Sequence, residues 1–299
     1  MSWKDALNLG MHRATGFMLT RETPEQREGA IRAASRQAAV HARKRERRKQ
    51  RAAKRRDKQA ARRTEGARLP GAYDDELRTT VARVRQRTMT GPEKLASLVE
   101  ATRYVVRHQV PGAVVECGVW RGGSMQAVAL TLLSLGDVER DLHLFDTFEG
   151  MPPPTADDTR RTEDGVVSAE QLLATSDKDS RMWAIAGLDD VREAMSETGY
   201  PSEKVHYHPG LVEETTPGEA PDKIAILRLD TDWYSSTKHE LEHLYERLSP
   251  GGVLILDDYG DWDGARKATD EWLTKTGESL FLAPMGSGRI AVKPPAPMP

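Results

Sequence analysis

The sequence predicts a doubly wound α/β domain, built on a mostly parallel seven-stranded sheet and preceded by a basic extension. Three observations carry that prediction. From residue 92 onward short apolar runs alternate with helical patterns, the arrangement of successive βα units. Two of the runs lead directly into carboxylates: Ile224-Ala225-Ile226-Leu227 into Leu229-Asp230-Thr231-Asp232-Trp233-Tyr234, and Val253-Leu254-Ile255 into Leu256-Asp257-Asp258-Tyr259. Charge is also unevenly spread: residues 1–70 carry 20 Lys and Arg against 7 Asp and Glu, whereas the remainder carries 24 against 39. The chain is long enough for one large domain and an arm, so the division is placed at residue 70, with the globular domain over 71–299.

The elements follow in order. Residues 41–63 are rich in helix-forming Ala, Arg, Lys and Gln but offer no apolar stripe to bury. They read as a solvated arm, partly helical or disordered. Contact with an anionic partner, a membrane surface or nucleic acid, is the other reading that their charge permits. No aromatic residue interleaves the run, so stacking on bases is unsupported. Upstream, Trp3, Leu7, Met11, Ala14 and Met18 recur at helical spacing, a stripe that can dock on the domain, a partner or a membrane surface. Thr90-Gly91-Pro92-Glu93 reads as a helix start, with Thr90 as the cap, Pro92 in the first turn and Glu93 at the capping-box position. Strands are expected at Ala113–Glu116, Leu142–Phe145, Val205–His208, Ile224–Leu229 and Val253–Leu256, and helices beginning near Ser124, Asp189, Ser235 and Gly264. Ser279–Ala283, Gly286-Ser287-Gly288 and Arg289–Lys293 predict a terminal hairpin that adds one antiparallel strand to the sheet. Met151–Arg181, rich in Pro, Asp and Thr, is too long for an ordinary connection and reads either as a lid or as a surface insertion.

Carboxylates at the carboxyl ends of parallel strands stand where open α/β sheets bind ligands. Neighbouring strands lie about 4.8 Å apart, so Asp230, Asp257 and Asp258 can converge on one divalent cation that relieves their mutual repulsion. The first strand runs into Val115-Glu116-Cys117-Gly118-Val119-Trp120-Arg121-Gly122-Gly123-Ser124. Gly118, Gly122 and Gly123 let the chain turn sharply and bring backbone N–H groups close to a ligand, with Ser124 opening the helix. The spacing is not Gly-x-Gly-x-x-Gly, and Glu116 opposes a pyrophosphate while suiting a ligand with a cationic end. Asp146 closes the second strand 23 residues after Gly123, near the spacing at which an acid takes ribose hydroxyls. Glycine turn, carboxylate and ribose acid together point to S-adenosylmethionine, which has ammonium, sulfonium and ribose groups.

Three further segments complete a pattern: Leu144-Phe145-Asp146-Thr147-Phe148-Glu149-Gly150-Met151-Pro152, Arg228 through Thr237, and Leu248-Ser249-Pro250-Gly251-Gly252 through Tyr259. With them the chain resembles the macrocin O-methyltransferase (TylF-type) family between roughly Arg87 and Ala291. The resemblance implies a class I, Rossmann-like methyltransferase fold. It also implies Mg²⁺-dependent methylation, by S-adenosylmethionine, of a sugar hydroxyl on a natural product such as a macrolide or aminocoumarin. It implies Asp230, Asp257 and Asp258 as metal ligands, Asp232 as the general base and Trp233 at the acceptor wall. Where the family often has glycine between the two aspartates, this chain has Thr231. Family members are often oligomeric, so a homo-oligomer is also implied. Two alternatives stay open. One is the same chemistry on a cell-surface polysaccharide sugar. The other is a non-catalytic scaffold acting through the basic arm, against which the full set of carboxylates speaks.

Other signals are set aside. His239-Glu240-Leu241-Glu242-His243 matches the zinc-protease pattern, but Leu241, Leu244, Tyr245 and Leu248 form the buried stripe and leave the histidines toward solvent. His206 and His208 read as structural, and Gly210–Thr215 as a wall of the adenine or acceptor pocket. Cys117 is the single cysteine, which excludes an intrachain disulfide, and no apolar run approaches the roughly 20 residues of a membrane span. The first residues lack the apolar core of a secretory signal, so a cytoplasmic enzyme is expected.

Overall fold

A computed structural model of the chain describes residue 69 and residues 71–295 apart from 163, 164 and 179. The expectations for the basic arm and for the Trp3–Met18 stripe lie outside the described residues. Two helices come first, α1 (Asp75–Val84) and α2 (Pro92–Arg107). The βα succession follows: β1 (Ala113–Cys117), α3 (Gly123–Leu135) and β2 (Leu142–Asp146), then the insertion with β3 (Thr159–Thr162), β4 (Gly165–Ser168) and α4 (Ala169–Thr175). After it come α5 (Leu188–Ser196), β5 (Val205–Pro209), the short α6 (Val212–Thr215), β6 (Ile224–Leu229), α7 (Tyr234–Leu244), β7 (Leu248–Leu256), α8 (Asp263–Thr276), β8 (Ala283–Met285) and β9 (Gly288–Val292).

Seven strands form one sheet in the order β5-β2-β1-β6-β7-β9-β8. Five run parallel; β9 is antiparallel to both β7 and β8. The chain builds outward from β1 through β2 to β5, then returns to β6 on the other side. The order therefore reverses between β1 and β6, the switch point at which such sheets open a crevice. The alternation within each strand explains how both faces are covered. Val114, Leu142, Leu144, Ile226, Val253 and Ile255 face one way, against Leu98 and Val105 of α2, Met125 and Leu132 of α3 and Val191 of α5. Val115, Phe145, Leu227, Leu254 and Leu256 face the other way, against Leu241, Leu244 and Trp272 of α7 and α8. Each fully buried Leu or Ile contributes roughly 1.5–3 kcal/mol, which is why these strands read as unbroken apolar runs.

Two local expectations are corrected, and one open reading gains detail. Thr90 does not cap α2: Gly91 is the N-cap and offers no side chain, and the Thr90 hydroxyl is engaged elsewhere. The Met151–Arg181 segment, read as a lid or a surface insertion, carries regular elements from Thr159 onward. Its hairpin β3–β4 and helix α4 lead into an apolar cluster of Ala169, Leu173, Trp233, Trp262 and Ala265. The terminal hairpin begins at Ala283, which pairs with Ile290, not at Ser279; just before it Leu282 donates to the Leu280 carbonyl only two residues back. Among the described residues no helix is long and apolar enough to cross a membrane.

Candidate active site

The glycine turn after β1 is organised by a single carboxylate. Asp146, at the end of β2, accepts the backbone N–H of Val119 at 2.7 Å and of Trp120 at 2.9 Å on one oxygen, and that of Phe148 at 2.7 Å on the other. Burial pushes its pKa up, against the pull of those three donors. Gly118 and Gly122 both adopt positive φ, 86° and 79°. A side chain at Gly118 would overlap the Asp230 carbonyl oxygen, so glycine there lets the first turn lie against the second. Gly123 serves packing: its N–H donates to the Arg87 carbonyl at 2.9 Å, and a Cβ would press on that backbone. Ser124 is buried, its hydroxyl 3.5 Å from that of Thr90. Gly210, downstream of β5, donates its N–H to the Asp146 carbonyl at 3.0 Å and so closes the same corner.

The acidic turn after β6 is held in the opposite way, by buried cations. Arg228, 2% exposed and pointing from the middle of β6, donates to Glu116, to Asp257 at 2.5 Å and to the Thr90 hydroxyl at 2.8 Å, and pairs with Asp230 at 2.8 Å. Lys94 of α2 reaches Asp257 at 2.7 Å and Asp261 at 3.0 Å. Burial would raise Asp257, but Arg228 and Lys94 together hold it below the usual carboxylate range. For the other members the same cations do not outweigh burial. Burial raises Asp230 and Asp258 well above it, and burial with the Asp230 charge beside it pushes Asp232 to about 7. Glu116 is likewise pushed to about 7, burial outweighing its bond to Arg228, and its second oxygen has no hydrogen-bond partner among the described residues.

Arg228 and Lys94 thus pair with Glu116, Asp230, Asp257 and Asp261, while Asp232 and Asp258 of the same cluster have no ion-pair partner among the described residues. Oxygens of Asp230, Asp257 and Asp258 lie within 4.8 Å of one another, a spacing that one ion can bridge. A donor set of oxygens alone, with excess negative charge, fits a hard divalent ion such as Mg²⁺ better than zinc. Asp232 stands on the same turn, its N–H donated to Asp258 at 3.1 Å and its φ at +66°. All the residues expected to serve cofactor, metal and base therefore gather at the carboxyl ends of β1, β2, β6 and β7.

The sequence reading missed four residues here. Arg228 and Lys94 supply the countercharge; an arginine inside an apolar strand is itself the signal, since a buried guanidinium demands carboxylate partners. Thr90 serves Arg228 rather than α2. Glu240, fully buried on α7, accepts the Thr231 hydroxyl at 3.0 Å, which gives the threonine at this position a partner. Trp233 does not line an acceptor wall: it is 1% exposed, edge-on to Trp262 at 4.9 Å, and donates its indole N–H to the Pro152 carbonyl at 3.0 Å. The buried stripe of Leu241, Leu244, Tyr245 and Leu248 is present. His239 and His243 are half-buried beside it rather than fully solvated, and His239 lies 3.1 Å from the Thr216 carbonyl. His206 and His208 are structural, paired with Asp141 at 3.0 Å and Glu219 at 2.7 Å and stacked about His143.

With the geometry in place, comparison with known proteins is informative. The family described as Macrocin-O-methyltransferase (TylF) matches residues 14–280, starting within the basic segment and so earlier than the motifs do. Over 192 residues the chain is 36% identical to the 8-demethyl-8-(2,3-dimethoxy-alpha-L-rhamnosyl)-tetracenomycin-C 4'-O-methyltransferase of Streptomyces olivaceus, covering 64% of this chain and 69% of that protein. It is 35% identical over 173 residues to the mycinamicin III 3''-O-methyltransferase of Micromonospora griseorubida, covering 58% and 65%. Among solved structures, that of the O-methyltransferase NovP superposes with a TM-score of 0.59 at 29% identity, covering 70% of this chain and 83% of that one.

Proposed function

We propose that this chain, which belongs to the macrocin-O-methyltransferase family and is an S-adenosylmethionine-dependent O-methyltransferase, methylates a sugar hydroxyl of a glycosylated natural product with the help of Mg²⁺. The observation that carries the reading is the placement of Asp232. It shares a turn with Asp230, is bonded through its N–H to Asp258, and lies across the switch point from the glycine turn. The sugar acceptor is inferred from what the two relatives are named for, and the metal from the excess of buried carboxylate.

In this mechanism the residues divide the work. Gly118 and Gly122 give the turn its shape, Asp146 stands ready for ribose hydroxyls and holds that turn, and the free oxygen of Glu116 offers an acceptor to the ammonium group. Gly123 and Ser124 set the start of α3 behind them. Asp230, Asp257 and Asp258 would hold the ion, which, when bound, orients the acceptor and makes its hydroxyl more acidic. Asp232 takes the proton as the oxygen attacks the sulfonium methyl in line; the C–S bond breaks and S-adenosylhomocysteine leaves neutral. The sulfonium already activates the methyl, so the enzyme's contribution is alignment and deprotonation. The test is transfer of a labelled methyl group to a panel of glycosides. Turnover should require Mg²⁺ and stop with EDTA. Undiminished turnover in EDTA would remove the metal, and no transfer to any sugar hydroxyl would remove the acceptor class.

A further inference from the structure

We infer that Asp158 is a positioning residue: it clasps the insertion onto the turn that carries Asp232, so that seating the insertion and placing the base are one event. The inference rests on Asp232 being the base. Among the described residues from 151 to 168, Asp158 alone is buried, at 0% exposure. A carboxylate taken out of water needs strong donors, and those it has come from two places. One oxygen accepts the N–H of Tyr234 at 2.7 Å; the other accepts the N–H and hydroxyl of Thr155 at 2.6 and 2.8 Å.

Tyr234 is the first residue of α7, and its N-cap, Trp233, offers no side-chain acceptor. Asp158 therefore supplies the missing cap from another segment, placing a carboxylate at the positive end of an eleven-residue helix. Its surroundings reinforce the clasp. Trp233 bonds the Pro152 carbonyl, Thr159 bonds Asp263 at 3.0 Å, and the Asp158 carbonyl accepts the N–H of Ala169 at 2.8 Å, the residue that opens α4. Position 264 has to be glycine for this to occur, because a Cβ there would overlap the Asp158 carboxylate.

Asp232 lies two residues before Tyr234 at a φ of +66°, a left-handed conformation that aspartate tolerates better than most residues and that sets the direction of its carboxylate. Asp258 fixes the turn from behind through the Asp232 N–H, and Asp158 fixes it from ahead through the Tyr234 N–H. Freeing the forward end lets the base drift from the acceptor while leaving the glycine turn and Asp146 untouched.

The test compares Asp158→Ala with Gly264→Ala, which displaces the carboxylate without removing it. In both, kcat should fall on the order of 10²-fold, as for a misplacement of about 1 Å, with S-adenosylhomocysteine affinity unchanged. Limited proteolysis within residues 151–168 should accelerate roughly tenfold as the insertion opens. Asp158→Asn keeps one acceptor oxygen, enough for Tyr234 but not for the Thr155 N–H as well, and should recover part of kcat. If Asp158→Ala does not fold, Gly264→Ala gives the same reading. Full kcat in either folded variant overturns the clasp, as does a fall in kcat that Asp158→Asn fails to recover even in part or that brings an equal loss of S-adenosylhomocysteine binding. Asp232→Asn, assayed alongside, separates the two ideas. If it is active, the base assignment fails; if it is dead while Asp158→Ala is fully active, the clasp alone fails.

Discussion

The turn after β1 and the turn after β6 meet at one switch point, yet they are held by opposite means. The first carries glycines, and its backbone N–H groups converge on one acid, Asp146. The second carries acids, and its charge together with that of the turn after β7 is met by two cations from within the core: Arg228 pairs with Asp230 and Asp257, and Lys94 with Asp257. A turn held through its backbone can approach a ligand closely. A turn held through buried ion pairs can concentrate negative charge without coming apart. In the proposed function cofactor recognition and acceptor activation fall to neighbouring turns, which meet at Arg228 through its bond to Glu116.

The sharpest way to break that division is to remove the countercharge. Arg228→Met leaves Glu116, Asp230 and Asp257 without their buried partner and should destabilise the domain by about 3–5 kcal/mol, read from the urea midpoint. A midpoint equal to wild type would mean the guanidinium is incidental. Next in size, Asp232→Asn should lower kcat by about 10²–10⁴-fold while S-adenosylhomocysteine binding, followed by calorimetry, stays as in wild type. Asp146→Asn should do the reverse. It leaves one acceptor oxygen for three N–H donors and removes the carboxylate proposed for the ribose, so cofactor affinity should weaken by about 1–3 kcal/mol and the urea midpoint should fall as well. Equal losses of affinity in both variants would erase the distinction between the turns. Smallest of all, His243→Ala on the outer part of α7 should shift stability by no more than about 0.5 kcal/mol and leave turnover alone. A large loss there would revive the zinc-like pattern that the geometry sets aside.

Much of this was legible in the chain because it is local. Ile224–Leu229 was bounded to the residue by its apolar run. The glycine turn, Asp146 and both acidic clusters declared themselves by position at strand ends, and their convergence followed from strand order. What could not be read was chemistry assembled from distant segments. Thr90 looks like a cap until Arg228, 138 residues away, is placed beside it. Trp233 looks like an acceptor wall until the insertion folds over it. Lys94, on the amino-terminal half of α2, reads as a solvated lysine; only the packing of that helix beside β7 brings it to Asp257. Among the described residues of Met151–Arg181 before α4 the one buried side chain is itself an acid, Asp158, so hydrophobic periodicity had nothing to register.

The central claim is that the acidic turn binds a divalent ion beside the base. Its most direct test is calorimetric titration of Mg²⁺ into protein saturated with S-adenosylhomocysteine, with Asp230→Asn as the comparison. One ion per chain in the wild type, lost in Asp230→Asn while cofactor binding persists, is the predicted result. Absence of Mg²⁺ binding to the wild type, or undiminished binding to Asp230→Asn, would contradict it.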